Sequence, residues 1–72
     1  MTATPEIIEW SPSRLAVTGH GSAELIDAIR QVPQARQEFR RVTEWGFSFT
    51  VSFPQRQRRE VTRLLEGFNN GE

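Results

Sequence analysis

The clearest pattern in the chain is a run of strict alternation. Trp45, Phe47, Phe49, Val51 and Phe53 are apolar, with Gly46, Ser48, Thr50 and Ser52 between them. Successive strand residues point to opposite faces, so this run predicts a strand with one buried and one wetted face. Glu6 to Trp10 reads as a shorter strand, rich in β-branched and aromatic residues. Ser11-Pro12-Ser13 is a turn signal. Arg14 to Thr18 follows as a second strand, with Leu15 and Val17 on one face and Ala16 on the other. Phe39 to Glu44 reads as a third strand despite Arg40 and Arg41 within it, and Glu44-Trp45-Gly46 turns the chain into the alternating run.

Two stretches change period. Leu25, Ala28, Ile29 and Val32 recur at i, i+3, i+4 and i+7, which is one apolar face of a helix. Gly19-His20-Gly21 breaks the preceding strand, Ser22 is a good N-cap, and Glu24 puts negative charge in the first turn. Pro33 ends or kinks this helix. Gln34 to Glu38 reads either as a further helical turn or as a loop. Pro54 stops the alternating strand and opens a second helix. There Val61, Leu64, Leu65 and Phe68 repeat the helical spacing, and Gly67 is placed to cap the end.

The order is ββα-ββα. It predicts an α+β domain, a four-stranded antiparallel sheet with both helices packed on one face. The halves echo each other: Glu9-Trp10 precedes a turn and a strand ending at Val17, and Glu44-Trp45 precedes a turn and Val51. Residues 1–72 are expected to form one small domain, with 1–5 and 69–72 as loose tails.

Length narrows the possibilities. A chain of 72 residues buries only roughly 60% of its unfolded surface, so it needs a well-packed core or a partner. There is no Cys and a single His, so neither a disulfide nor a structural zinc site is expected, and no cofactor is implied. Seven aromatic residues (Trp10, Phe39, Trp45, Phe47, Phe49, Phe53 and Phe68) are the available core supply. No apolar stretch approaches the ~20 residues of a membrane span. The first ten residues lack a signal-peptide pattern, so a cytoplasmic location is expected.

Charge adds a further distinction. The net charge is zero, yet Met1 to Ile29 carries only Arg14 against Glu6, Glu9, Glu24 and Asp27. Arg30 to Arg63 holds eight Arg against Glu38, Glu44 and Glu60, and Lys is absent from the chain. Guanidinium groups suit bidentate contact with phosphate and carboxylate, so this asymmetry points to an anionic partner. Biased base composition in the gene accounts for an all-Arg set more simply.

Three sets of residues are candidates. Arg56, Arg59 and Arg63, flanked by Arg58, share a helix face opposite Val61, Leu64 and Leu65. The crowding of Arg56, Arg58 and Arg59 near a helix N-terminus opposes the macrodipole, a locally unfavourable choice that hints at function. Arg40 and Arg41 beside Trp45, with Arg36 nearby, match the basic and aromatic mixture that holds a single strand by phosphate contact and stacking; Trp45 reads more readily as core, since most aromatics at alternating spacing are buried. Gly19, His20, Gly21 and Ser22, between strand and helix, could cradle an anion or simply connect two elements. His20 as a general base lacks any Cys nucleophile and any Asp nearby in sequence, so no enzyme is expected.

From His20 to Leu65 the chain resembles the HARP domain, the accessory module of annealing helicases. The matching residues are Leu25-Ile26, Arg30, Pro33, Phe39, Arg40-Arg41, Trp45-Gly46-Phe47 and Val61 to Leu65. The resemblance implies a module associated with nucleic acid. The residues and the resemblance together predict a non-enzymatic binding module whose arginines contact nucleic acid. An alternative expectation is an inhibitor or adaptor resembling the small accessory proteins of phages and mobile elements, its arginines set against an acidic protein surface. Homodimerisation through a strand edge at Phe47 to Phe53 is a third possibility.

Overall fold

The computed structural model describes residues 5–44 and 46–69. The elements are β1 (Glu6–Ser11), β2 (Arg14–Gly21), α1 (Ala23–Arg30), β3 (Arg36–Thr43), β4 (Gly46–Pro54), a 3-10 turn (Gln55–Gln57) and α2 (Arg58–Asn69). The strands form one antiparallel sheet in the order β1-β2-β4-β3. This is the expected ββαββα architecture. β4 lies between β2 and β3 and runs against both, so the path β2-α1-β3 crosses over it as a split βαβ unit. The two ββα units meet at β2 and β4, where Val17 and Val51 are direct partners.

The alternation along β4 works largely as its sequence predicts. Phe49, Val51 and Phe53 are fully buried and join Val17, Leu25, Ile26, Ile29, Val32, Val61 and Leu65 in one core. Side chains of α1, α2 and one sheet face therefore form a single layer contact, with α1 packed on both β4 and α2. Ile26, outside the anticipated helix stripe, is fully buried, and Ala28 in that stripe is only half-buried. The α1 start is capped as expected: Ser22 Oγ accepts a hydrogen bond from the Leu25 backbone N–H at 3.2 Å.

The other sheet face departs from simple wetting. Ala16 pairs with Ser52, Thr18 with Thr50 and His20 with Ser48, and the Thr18 and Thr50 hydroxyls lie 3.1 Å apart. Ser52 is fully buried there. Its Oγ donates to Glu38 Oε2 at 2.6 Å and accepts from the Arg14 guanidinium at 3.0 Å. A hydroxyl between a carboxylate and a cation is satisfied on both sides, which is why a serine survives burial.

Several boundaries move. β2 runs through Gly19-His20-Gly21, which pair with Phe49, Ser48 and Phe47. The segment expected as an open loop is therefore strand, because the long β4 supplies partners for it. Gly21 has a packing reason: a Cβ there would meet Leu25 Cδ2 at 2.8 Å and Phe49 Cε1 at 3.2 Å. Gln34 to Glu38 resolves into a turn and the start of β3, which begins before Phe39. α2 continues past Gly67, so this glycine does not cap the helix. The expected role of Trp45 lies outside the described residues.

β4 is paired on both sides, so the Phe47 to Phe53 strand offers no free edge for a dimer. The edges are β1 and β3. Each carries an irregularity, at Trp10 and at Glu38 respectively. Irregular, charged edges resist strand addition, and β3 bears Arg36, Arg40 and Arg41. Three of the aromatic residues counted as core supply, Trp10, Phe39 and Phe68, are exposed.

Two glycines make a paired test. Gly46 opens β4 at φ 134°, and a Cβ there would lie 2.8 Å from the Gly21 carbonyl oxygen. Gly67 lies in α2 with nothing within 4 Å of an added Cβ. Gly46→Ala is expected to cost about 1–3 kcal/mol, and Gly67→Ala to add up to about 1 kcal/mol of stability by helix propensity. Urea unfolding followed by circular dichroism reads both; an equal effect at the two sites would contradict the positive φ of Gly46 and its close approach to Gly21.

Candidate anion-binding surface

α2 and the 3-10 turn before it position the first arginine set, with Arg56 in the turn rather than on the helix as its spacing suggested. Val61 and Leu65 turn inward to the core, which leaves the opposite side of the helix to solvent. Gln55, Arg56, Arg58, Arg59, Thr62, Arg63 and Glu66 line a shallow open cleft there. The four arginines picked out in the sequence are thus brought together. Arg56 donates to Gln34 Oε1 at 3.1 Å, whereas Arg58, Arg59 and Arg63 have no hydrogen-bond or ion-pair partner among the described residues. Glu60 is the acidic residue of the first turn and Glu66 borders the cleft. Close, unpaired guanidinium groups repel one another mildly in water but raise a positive potential that an anion relieves.

The β3 set is separate. Arg40 lies over the Phe47 ring, its guanidinium carbon 4.3 Å from the centroid. That cation–π contact covers the half-buried ring and engages the charge. Arg41 pairs with Ser48 across the ladder, on the face away from the helices. α2 begins beyond Pro54, at the opposite end of β4. Five residues of strand from Phe49 to Pro54 amount to about 17 Å, so Arg40 and Arg41 do not share a patch with the start of α2. The described aromatic between the β3 arginines is Phe39, 48% exposed, which pairs with Thr50 on the same face as Arg41. Nothing in the sequence separates Phe39 from the core aromatics, because its strand position follows from the irregularity at Glu38.

The glycine-histidine segment does not form an anion cradle. Gly19 to Gly21 belong to the ladder with β4, and the Ser22 hydroxyl is used to cap α1. His20 is half-buried opposite Ser48 and has no hydrogen-bond partner among the described residues. No group of three His, Cys, Asp or Glu that could hold a metal ion occurs among the described residues. None of the described helices is long and apolar enough to cross a membrane.

One residue that sequence reasoning passed over organises this end of the molecule. Arg14 donates to the Gln34 carbonyl oxygen at 2.9 Å and to Ser52 Oγ at 3.0 Å. It thereby ties β2 to the turn before β3 and to β4. Its partners lie 20 and 38 residues away in sequence, so no local signal could have marked it.

Comparison with known proteins returned no matching family model, no matching curated protein and no matching solved structure.

Proposed function

We propose that this chain is a non-enzymatic binding module whose α2 arginine surface holds the phosphate backbone of nucleic acid. The observation that carries this reading is the cleft where Arg56, Arg58, Arg59 and Arg63 converge, three of them unpaired among the described residues. Contacts of this type position a protein on nucleic acid without reading its sequence. The resemblance to the HARP domain supports the same class of partner, and the proposed setting is cytoplasmic. A second reading, an inhibitor or adaptor that docks on a host protein as phage or mobile-element accessory proteins do, is supported by exposed apolar side chains on both sheet edges. These are Ile8 and Trp10 on β1, and Phe39 and Val42 on β3, with Val42 74% exposed.

Fluorescence anisotropy with labelled single-stranded and duplex DNA and RNA tests the first reading. Binding at low salt is expected, with loss in the Arg56→Ala/Arg59→Ala/Arg63→Ala triple variant. These side chains are exposed, so the variant should keep its fold. Absence of binding at low salt, with a correctly folded protein, would overturn the nucleic-acid reading and leave the protein-partner reading in its place.

A further inference from the structure

Beyond the α2 cleft, three arginines from distant parts of the chain meet at one turn. Arg14 comes from the start of β2, Arg36 from the start of β3 and Arg56 from the 3-10 turn after β4. The β4 register brings them to the same end of the sheet: Arg14 pairs with Pro54, Arg36 pairs with Ser52, and Arg56 follows Pro54 by two residues. Gln34 joins two of them, Arg14 and Arg56. Its carbonyl oxygen accepts from Arg14 at 2.9 Å, and its side-chain oxygen accepts from Arg56 at 3.1 Å. Arg14, Gln34, Ala35 and Arg36 line an open pocket beside it.

Two features show that this arrangement is held against local cost. Gln34 has φ 63°, the left-handed region that a non-glycine residue enters only when its surroundings demand it. Arg14 is half-buried, and its Nε is buried with no acceptor among the described residues. The hydrogen bonds of Arg14 go to neutral oxygens, those of Gln34 and Ser52. Glu38 is the nearest carboxylate in this network, and it reaches Arg14 only through the Ser52 hydroxyl. Arg36 has no partner among the described residues. Arg14 and Arg36 in the pocket wall, with Arg56 held beside it on the Gln34 side chain, set three guanidinium charges against the one carboxylate of Glu38 around this turn, where Arg14 is half-buried and Arg36 and Arg56 are exposed. A partly buried charge without an ionic partner is costly unless a ligand neutralises it.

We propose that this pocket binds a phosphate dianion. The charge excess matches a doubly ionised phosphoryl group, and forked guanidinium donors suit its tetrahedral oxygens. The group could belong to a terminal phosphate of a nucleic acid or to a free phosphate. The first source rests on the nucleic-acid reading above, since Arg56 links the pocket to the α2 cleft; the second does not.

The test uses the full chain. Anisotropy compares one single-stranded oligonucleotide, labelled at its 3′ end, with and without a 5′-phosphate, while calorimetry titrates inorganic phosphate. A terminal-phosphate site predicts about tenfold tighter binding of the phosphorylated strand, reflecting added charge-assisted bonds. Arg36→Ala is expected to erase that preference and Arg63→Ala to preserve it, with thermal melting confirming that both remain folded. Heat from inorganic phosphate that vanishes in Arg36→Ala, without oligonucleotide binding, would support the pocket as a free-phosphate site and overturn the α2 reading. Equal binding of the two oligonucleotides, no heat from phosphate and loss of affinity only in Arg59→Ala or Arg63→Ala would overturn the pocket and leave the α2 cleft standing.

Discussion

Phe49→Ala is expected to lose about 3–5 kcal/mol of folding stability, the usual cost of truncating a fully buried aromatic side chain. Phe49 is completely enclosed, in the strand that pairs on both sides and lies against α1. Its ring touches the space above Gly21, where no Cβ intervenes. A chain of 72 residues typically has about 4–11 kcal/mol in total, so this one change removes a large share. Phe39→Ala is the internal control. Phe39 is about as apolar and also lies on a strand, but it is half exposed, so its loss should cost no more than about 1 kcal/mol. Urea titrations of both variants read the contrast. A small loss at Phe49, or a large one at Phe39, would mean that the sheet presents the opposite faces to the helices.

The second large effect is the salt dependence of nucleic-acid binding. Each guanidinium that neutralises a duplex phosphate contributes about −0.9 to the slope of log affinity against log salt. With all of Arg56, Arg58, Arg59 and Arg63 engaged, the slope on duplex DNA should approach about −3.6, a loss of about 150-fold between roughly 50 and 200 mM salt. The triple alanine variant retains Arg58, so its slope should flatten to about −0.9. Anisotropy titrations across a salt series measure this directly. An unchanged slope in the variant would show that other residues contact the phosphates, with Arg36 and Arg41 the next to examine.

Much of the fold was legible in the sequence, for reasons local to it. Alternation over Phe47 to Phe53 and the helical spacing over Leu25 to Val32 and Val61 to Leu65 reflect the geometry of a single element against a core, whereas Phe68 in the same spacing is exposed. The helix start at Ser22 is legible because capping needs only neighbours three residues apart. Arg59 and Arg63 were legible as a pair for the same reason, since helical spacing alone puts them on one side, and Arg56 joins them from the 3-10 turn. The β3 arginines were not: Arg40 and Arg41 fall on opposite faces of an edge strand, and only one of them is engaged by a ring.

The boundaries that moved did so because of pairing. Gly19 to Gly21 read as a break, since glycine weakens a strand taken by itself. They are held extended by Phe47 to Phe49 of β4, and a Cβ at position 21 would press on the Leu25 side chain. Gly67 looked like a cap, yet α2 continues through it.

Composition, periodicity and capping by themselves determined the number, type and order of the strands and α-helices and the buried face of β4. The tertiary structure alone decided that β4 is interior, that Phe39 and Trp10 are exposed, and that Arg14 and Arg56 meet at Gln34. The division has a physical cause. Helix and strand periodicities are short-range and write themselves into neighbouring residues, whereas strand order and the meeting of Arg14 with Gln34 and Ser52 depend on contacts closed over 20 and 38 residues of chain. Such contacts leave no periodic trace, because any surface arginine would look the same in sequence until the sheet brings its partners to it.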